Sequence, residues 1–257
     1  MSSTAATRAE PPPLPLGVRA SVILRSFLVQ AAWNYRTMLG TGMAFALTPA
    51  LRHLHGDAGE VDRALERHAG HFNAHPYLTP LALGALARLE AEGASPEQVE
   101  RFRVALRGPL GALGDRLVWA GWLPACALVA IVVAAVAPPA WAVATFLLLF
   151  NAGHVAIRVQ GFAFGWDAGA AVGGRLRELD LAQRARQLEG AIALLLGAVV
   201  AVWLPVLASD GGAIAAAGGA SALLAGYALG PRAWRPTGWV LTVGVGILAA
   251  AGLLLSL

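Results

Sequence analysis

The sequence predicts an all-α, polytopic membrane protein, with an amphipathic and re-entrant N-terminal half and about four to five transmembrane helices in the C-terminal half. Three observations predict it. Of 257 residues, 57% are hydrophobic and 13% charged, with a mean hydropathy of +0.62, which is too apolar for an ordinary soluble domain. Uncharged runs long enough to cross hydrocarbon recur after residue 116. Between them, arginine-rich segments alternate with arginine-free turns, the pattern that fixes orientation in a bilayer. All nineteen basic residues are arginine. None of them forms a basic run interleaved with aromatics, which excludes a nucleic-acid partner. Cys126 stands alone in an apolar segment, so disulfide and Cys-based metal frameworks are excluded too.

Residues 1–16 hold small polar residues and a proline tract, Pro11 to Pro15, and read as a disordered tail. No apolar core follows a basic start there, so a signal peptide is not expected. Residues 17–257 then form a single membrane domain, with amphipathic and re-entrant helices over 17–116 and transmembrane helices over 117–257. From Leu24 to Leu51 the spacing of Phe27, Leu28, Ala31, Ala32, Tyr35 and Leu39 predicts a helix. Gln30, Trp33, Asn34 and Thr37 would share one face of it. Two amides beside an indole can hold a sugar, the amides bonding hydroxyls and the ring covering a C–H face. The same face also fits a polar surface turned to water or to another helix.

Glu60 to Phe72 reads as a charged amphipathic helix with Val61, Leu65, His68 and Phe72 inward, broken because Pro76 disfavours helical backbone at His75. Five histidines lie between 53 and 75, but no acidic or cysteine ligand stands at a metal-binding offset, so no metal is expected. Residues 77–92 predict a helix too short to span, re-entrant or interfacial. Ser95, Pro96 and Gln98 mark the next helix start as a capping box, with Val99, Phe102 and Leu106 on one side.

Gly108 to Trp119, GPLGALGDRLVW, lies where polar, Arg-rich sequence gives way to a membrane-grade run. Gly108, Pro109, Gly111 and Gly114 predict a loop at that boundary, and Asp115 gives it a carboxylate. Irregular backbone at membrane depth must be satisfied by protein or a cavity. The stretch therefore reads either as a gating loop of a transport site or as a tight turn with a helix-capping Asp.

Five apolar runs follow: Leu117 to Ala137, Trp141 to Ile157, Leu188 to Ala208, Ala213 to Leu229 and Gly238 to Leu257. The fourth, at 17 residues, either spans or dips. Pro124 and Pro205 are expected to kink their helices. Arginines at 158–187 and 231–236, against none at 138–139 and 209–212, place residues 1–116, 158–187 and 231–236 in the cytoplasm and the C-terminus outside. Asn151 and His154 share a face at membrane depth, where polar groups are costly, and fit either glue between helices or contact with a substrate. His154 also fits proton shuttling, although the late helices lack an intramembrane carboxylate away from their ends.

Several motifs in fixed order carry a resemblance. They are Arg25-Ser26; Gln30 with Trp33-Asn34-Tyr35 and Met38; Arg67-His68; Phe72-Asn73 with Pro76; and Leu89-Glu90. Gly108-Pro109-Leu110 with Gly114-Asp115 and Trp119, and Phe150-Asn151 with Arg158, Gly161 and Gly165, complete the series. Together they resemble the IID component of the mannose/fructose/sorbose family of the bacterial phosphotransferase system, from about Leu24 to Gly169. The resemblance implies a membrane subunit that pairs with a IIC subunit in a hetero-oligomer of the bacterial inner membrane, multi-pass with a cytoplasmic N-terminus. It implies a hexose phosphorylated on arrival by IIA and IIB phosphocarriers, so this chain needs no cofactor and is not itself the phosphotransferase. No phosphate-cradling Gly-Lys-Ser/Thr loop or nucleophile–base pair stands in the sequence. On this resemblance Gln30, Trp33, Asn34, Asn73, Asp115 and Asn151 line or support the sugar path, with Asp115 a charge-assisted acceptor. Arg36 and Gly70 stand where acidic residues are usual, His71 where an aromatic is, and Arg116 where a small or apolar residue is. A regulatory or scaffold subunit that keeps the IIC contact without moving sugar is the alternative.

Overall fold

The structure is a computed structural model in which residues 14–209 are described. The expected spans Ala213 to Leu229 and Gly238 to Leu257, and the arginine turn 231–236, lie outside the described residues. The chain forms two units and enters each twice: the first takes residues up to 117 and 152–181, the second 118–151 and 182 onward. The boundary expected near residue 117 is thus a first crossover, and residues 152–181 return to the first unit.

In the first unit, α1 (Leu16–Ser26), α2 (Gly40–Leu54), α3 (Ala58–Ala69), α4 (Thr79–Ala91) and α5 (Pro96–Gly114) pack with the second half of α7 (Pro139–Ala168) and with α8 (Val172–Glu178). The single helix expected over 24–51 is two helices separated by turns at 27–39. The break is chemical. Asn34 offers the backbone an alternative to the helical ladder: its Oδ1 accepts from the N–H groups of Arg36 (3.0 Å) and Thr37 (2.9 Å). Phe72, expected inside a helix, lies beyond α3. Its N–H donates to Thr37 O (3.1 Å) and its carbonyl accepts from Leu39 N (2.9 Å), tying the turn to the α3–α4 connection.

The helix expected to be re-entrant or interfacial is the core of the unit. α4 is buried along nearly its whole length, among Met43, Leu47 and Leu51 of α2 and Phe162 and Trp166 of α7. Its charged end is buried as well. Glu90 accepts from Arg67 Nη2 (2.8 and 3.1 Å) and bonds His68 Nε2 (2.8 Å), with His55 Nε2 at 3.4 Å. Arg103 of α5, fully buried, donates to Gly70 O (2.9 Å) and pairs with Glu100. α5 begins at the expected capping box: Gln98 N donates to Ser95 Oγ (3.3 Å) and Ser95 N to Gln98 Oε1 (2.9 Å).

The loop expected over Gly108, Pro109, Gly111 and Gly114 is helix. Val99, Arg103, Leu106, Leu110 and Gly114 form a continuous buried stripe at three- and four-residue spacing. That stripe outweighs the helix-breaking tendency of the glycines and Pro109. Beyond it the helix widens into a π-helical stretch, Asp115–Trp122, and continues as α6 (Leu123–Val136). α7 likewise overruns the expected end at Ile157 by three turns, so Arg158 lies inside a helix and is buried.

In the second unit, Trp203 of α9 (Leu181–Ser209) donates its indole N–H to Ile131 O on α6 (3.0 Å). Phe146 and Phe150 stack along α7 with centroids 5.7 Å apart. Among the described residues, two continuous helical stretches are long and apolar enough to cross a membrane, Pro96–Val136 and Pro139–Glu178. The four to five expected spans are therefore not all accounted for by the described residues. None of the most apolar window of the second stretch is buried within this chain, an exposure that suits hydrocarbon or an apolar partner surface.

Candidate functional site

The polar groups of the first unit that meet apolar surroundings gather around the α3–α4 connection. Pro76 holds His75 in extended backbone. The following turn closes on it: His75 O accepts from Leu78 N (3.0 Å), Thr79 N (3.1 Å) and Thr79 Oγ1 (3.1 Å), and His75 Nδ1 accepts from Tyr77 N (3.2 Å). An Nδ1 that accepts leaves the proton of the neutral ring on Nε2. Burial disfavours the imidazolium and nearby Asp115 favours it; with Arg158 also opposing it, the pKa falls to about 4. Neutral His75 therefore carries a single ring N–H, on Nε2, at physiological pH. Gly114 lets α5 cross directly over this ring, where any Cβ would collide with it.

Tyr77 lies edge-on to His75 (centroids 5.3 Å) and close to His154 (4.8 Å), which also meets Phe27 (5.5 Å). Arg158, one turn along α7 from His154, sits between two of these rings, 4.6 Å from Phe27 and 5.0 Å from Tyr77. Its Nη1 donates to Ser26 O (2.7 Å) and lies 3.2 Å from Ser26 Oγ. A cation thus closes the C-terminal end of α1, where the helix dipole is negative.

The expected site residues divide. Gln30, Asn73 and Asp115 are exposed, Asp115 as first residue of the π-helical stretch. Trp33 is exposed and packs edge-on against Tyr35 at 4.8 Å. Asn34 spends its amide on its own turn: besides its two acceptor bonds, Nδ2 donates to Ala32 O (3.1 Å) and Thr37 Oγ1 (2.7 Å). Asn151, in the second unit, donates to Leu147 O one turn back (2.7 Å). Gly108, Pro109 and Gly111 belong to α5, and of the expected loop residues Gly114 alone abuts His75. Gln30, Trp33, Asn34 and Thr37 do not share a helical face. His75 and Tyr77 were not expected at a site. The one sequence signal for them is Pro76, which fixes the backbone that presents both.

Asn34→Ala should cost about 2 kcal/mol, from several part-exposed hydrogen bonds at about 0.5–1.5 kcal/mol each. It should also speed limited proteolysis between residues 27 and 39. Asn34→Asp keeps the Oδ1 acceptor and should restore most of the protection.

Aromatic edges and an exposed carboxylate can cover C–H faces and accept from hydroxyls, the chemistry a polyhydroxylated ligand requires. Among the described residues, no group of three or more His, Cys, Asp or Glu side chains is arranged to hold a metal ion.

Comparison with known proteins identifies the family. The model of the PTS system mannose/fructose/sorbose family IID component matches residues 17–210. The mannose-specific EIID component of Escherichia coli K12 is 31% identical over 199 residues, 72% of this chain and 67% of that protein. The fructose permease IID component of Bacillus subtilis is 27% identical over 197 residues, 72% of this chain and 69% of that one. Among solved structures, a membrane protein aligns with TM-score 0.66 at 27% identity, covering 74% of this chain and 71% of that one. The mannose transporter ManYZ, solved with microcin E492, aligns with TM-score 0.56 at 27% identity, covering 74% and 72%. The chain belongs to the mannose/fructose/sorbose family of phosphotransferase-system IID components, membrane subunits of permeases in which other subunits carry phosphoryl transfer.

Proposed function

We propose that this subunit pairs with a IIC membrane subunit in the bacterial inner membrane and helps translocate a hexose that IIA and IIB phosphorylate on arrival. The observation that carries the reading is the family match over residues 17–210, which includes every element of the His75 cluster. The ManYZ likeness supports a two-subunit assembly. The N-terminus is cytoplasmic: the polar start of α5 precedes the first apolar stretch, α7 returns, and arginines 175, 177, 184 and 186 follow it. Gln30, Trp33, Asn73 and Asp115 present free surface to the sugar path. Asn34 supports that path by shaping the turn that carries Trp33, and Asn151 supports it from the second unit. Asp115 accepts from sugar hydroxyls, and its charge strengthens those bonds.

The test is uptake of labelled hexoses by cells expressing this chain with its IIC, IIB and IIA partners. Sugar phosphate should accumulate with the full set and not when this subunit is omitted. Asp115→Ala should lower uptake about tenfold, the loss of one charge-assisted bond of about 1.5–3 kcal/mol. Full uptake without the subunit, or a IIC complex that forms yet moves no hexose, would overturn the proposal.

A further inference from the structure

α1 stops at Ser26 without an ordinary stop signal. Residues 27–39 contain neither glycine nor proline, and Phe27, just past the helix, keeps right-handed backbone (φ −67°, ψ −24°). The hydrogen bonds nevertheless tighten there to three-residue spacing. Phe27 N donates to Leu24 O (3.2 Å), Leu28 N to Arg25 O (3.0 Å) and Val29 N to Ser26 O (3.4 Å). An uninterrupted helix would give Ser26 O to the N–H of residue 30. Here its short bond, at 2.7 Å, goes to Arg158 Nη1, 132 positions away.

The fit is specific to arginine. Ser26 Oγ donates to Ile23 O (2.6 Å), which leaves its lone pairs for the same Nη1 (3.2 Å). One planar cation thus bonds both oxygens of Ser26 and meets the rings of Phe27 and Tyr77. Arg158 is almost wholly buried. Among the described residues, a carbonyl, a hydroxyl and two rings meet its charge, not a carboxylate. α7, the α3–α4 connection and the start of the turn therefore converge where α1 ends. Val29, next in the turn, is buried, and Gly42 of α2 approaches so closely that a Cβ there would land on the Val29 carbonyl. The direction in which the chain leaves α1 is set before Gln30 and Trp33 are reached.

We propose that Arg158 is a positioning residue: by taking the Ser26 carbonyl and lying over Phe27 it ends α1 and aims the 27–39 turn, which carries Gln30 and Trp33 to the sugar path. Asn34 shapes that turn from within, and Arg158 fixes where it points. The inference rests on the sugar-path reading of the turn.

Two variants test it in the full chain. Arg158→Met keeps the bulk and removes charge and donors, and Arg158→Lys keeps the charge without the planar fork. In a Cys126→Ala background, a nitroxide at Tyr35→Cys reads the turn and one at Val104→Cys, on α5, reads the rest of the unit. Arg158→Met should mobilise the label at 35 and leave the label at 104 unchanged, with Arg158→Lys falling between it and the native chain. In cells with IIC, IIB and IIA, Arg158→Met should raise the KM of hexose uptake about tenfold at a nearly unchanged maximal rate, because Gln30 and Trp33 must then be ordered on binding. A mere loss of folded subunit would lower the maximal rate and leave KM alone. If Arg158→Met does not fold, Arg158→Lys decides by the same readouts. A label at 35 as immobile as in the native chain, one mobilised together with the label at 104, or a mobilised label with native KM would each overturn the inference. Should the native complex move no hexose, the functional reading fails instead, and the label at 35 still decides whether Arg158 holds the turn.

Discussion

Replacing Glu90 by alanine should destabilise the first unit by about 3–5 kcal/mol, the cost of removing one partner of a buried ion pair. The carboxylate is almost wholly enclosed and is shared by Arg67 and His68, with His55 beside it. Its pKa has competing causes. Burial raises it, but the hydrogen bonds from His68 and Arg67 overcome that and hold it at about 2. His68 is driven the other way from protonation: burial lowers its pKa despite the pull of Glu90. The group is therefore Arg67⁺–Glu90⁻ with a neutral His68 donating from Nε2, and Glu90→Ala leaves a guanidinium without its counterion.

The sign of the pH dependence follows. A carboxyl at about 2 when folded and at its ordinary 4.5 when unfolded contributes stability above pH 4.5, lost as pH falls towards 2. His68, with its folded pKa lowered, acts in the same sense, beginning to oppose folding once pH drops below 6.5. Thermal unfolding in detergent as a function of pH checks both. The native chain should lose stability through the acid range. Glu90→Ala should start lower at pH 7 and change less below pH 4.5, and Glu90→Gln, which still accepts from His68, should fall between them. A native-like melting curve for Glu90→Ala at pH 7 would mean that the cluster is solvated and contributes little.

The same residues show what a linear sequence can convey. The Ser95 cap was legible because its two hydrogen bonds join residues three apart, and a short motif encodes both. The membrane-grade runs were legible because hydrocarbon demands a composition, whatever the neighbours. Arg158 was not. An arginine ending an apolar run gives no sign in sequence that it will be buried, and its partner Ser26 lies 132 positions away. Glu90 was hidden in the same way, its histidine 22 residues upstream on another helix. The Asn34 turn was misread for a different reason. Apolar periodicity around it fits a helix, and only the competition of its amide for two backbone N–H groups decides otherwise. In the Gly108 stretch the error ran the opposite way: glycine and proline weaken a helix by about 1 and 3 kcal/mol, yet the buried stripe ending at Gly114 keeps the helix intact. Of the site itself, the resemblance supplied Arg158, Asn73 and Asp115 as separate landmarks, and the fold joined Asp115 and Arg158 to His75 and Tyr77.

Substitution at Gly165 should be the most damaging change in α7. Here α4 and α7 cross at backbone contact: a Cβ on Gly165 would land on Leu81 O, and one on Gly84 would land on Phe162 O. Neither obstacle is a side-chain end that can swing away, so the helices must separate along the core that holds Leu81, Ala85, Phe162 and Trp166. Small residues at such crossings are how membrane helices approach closely enough for backbone packing. Gly165→Ala should therefore cost about 1–3 kcal/mol from overpacking, and Gly165→Leu more. Gly161, one turn away, supplies the control. A Cβ there meets Leu81 atoms at 3.6 Å, ordinary van der Waals contact, so Gly161→Ala should be neutral or stabilising by up to about 1 kcal/mol through helix propensity. Melting temperature and monodispersity in detergent for the two alanine variants give the comparison. Equal behaviour would show that the crossing is looser than backbone contact. A selective loss at Gly165 would tie stability to the packing that also sets the position of Arg158 and, through it, Ser26 and α1.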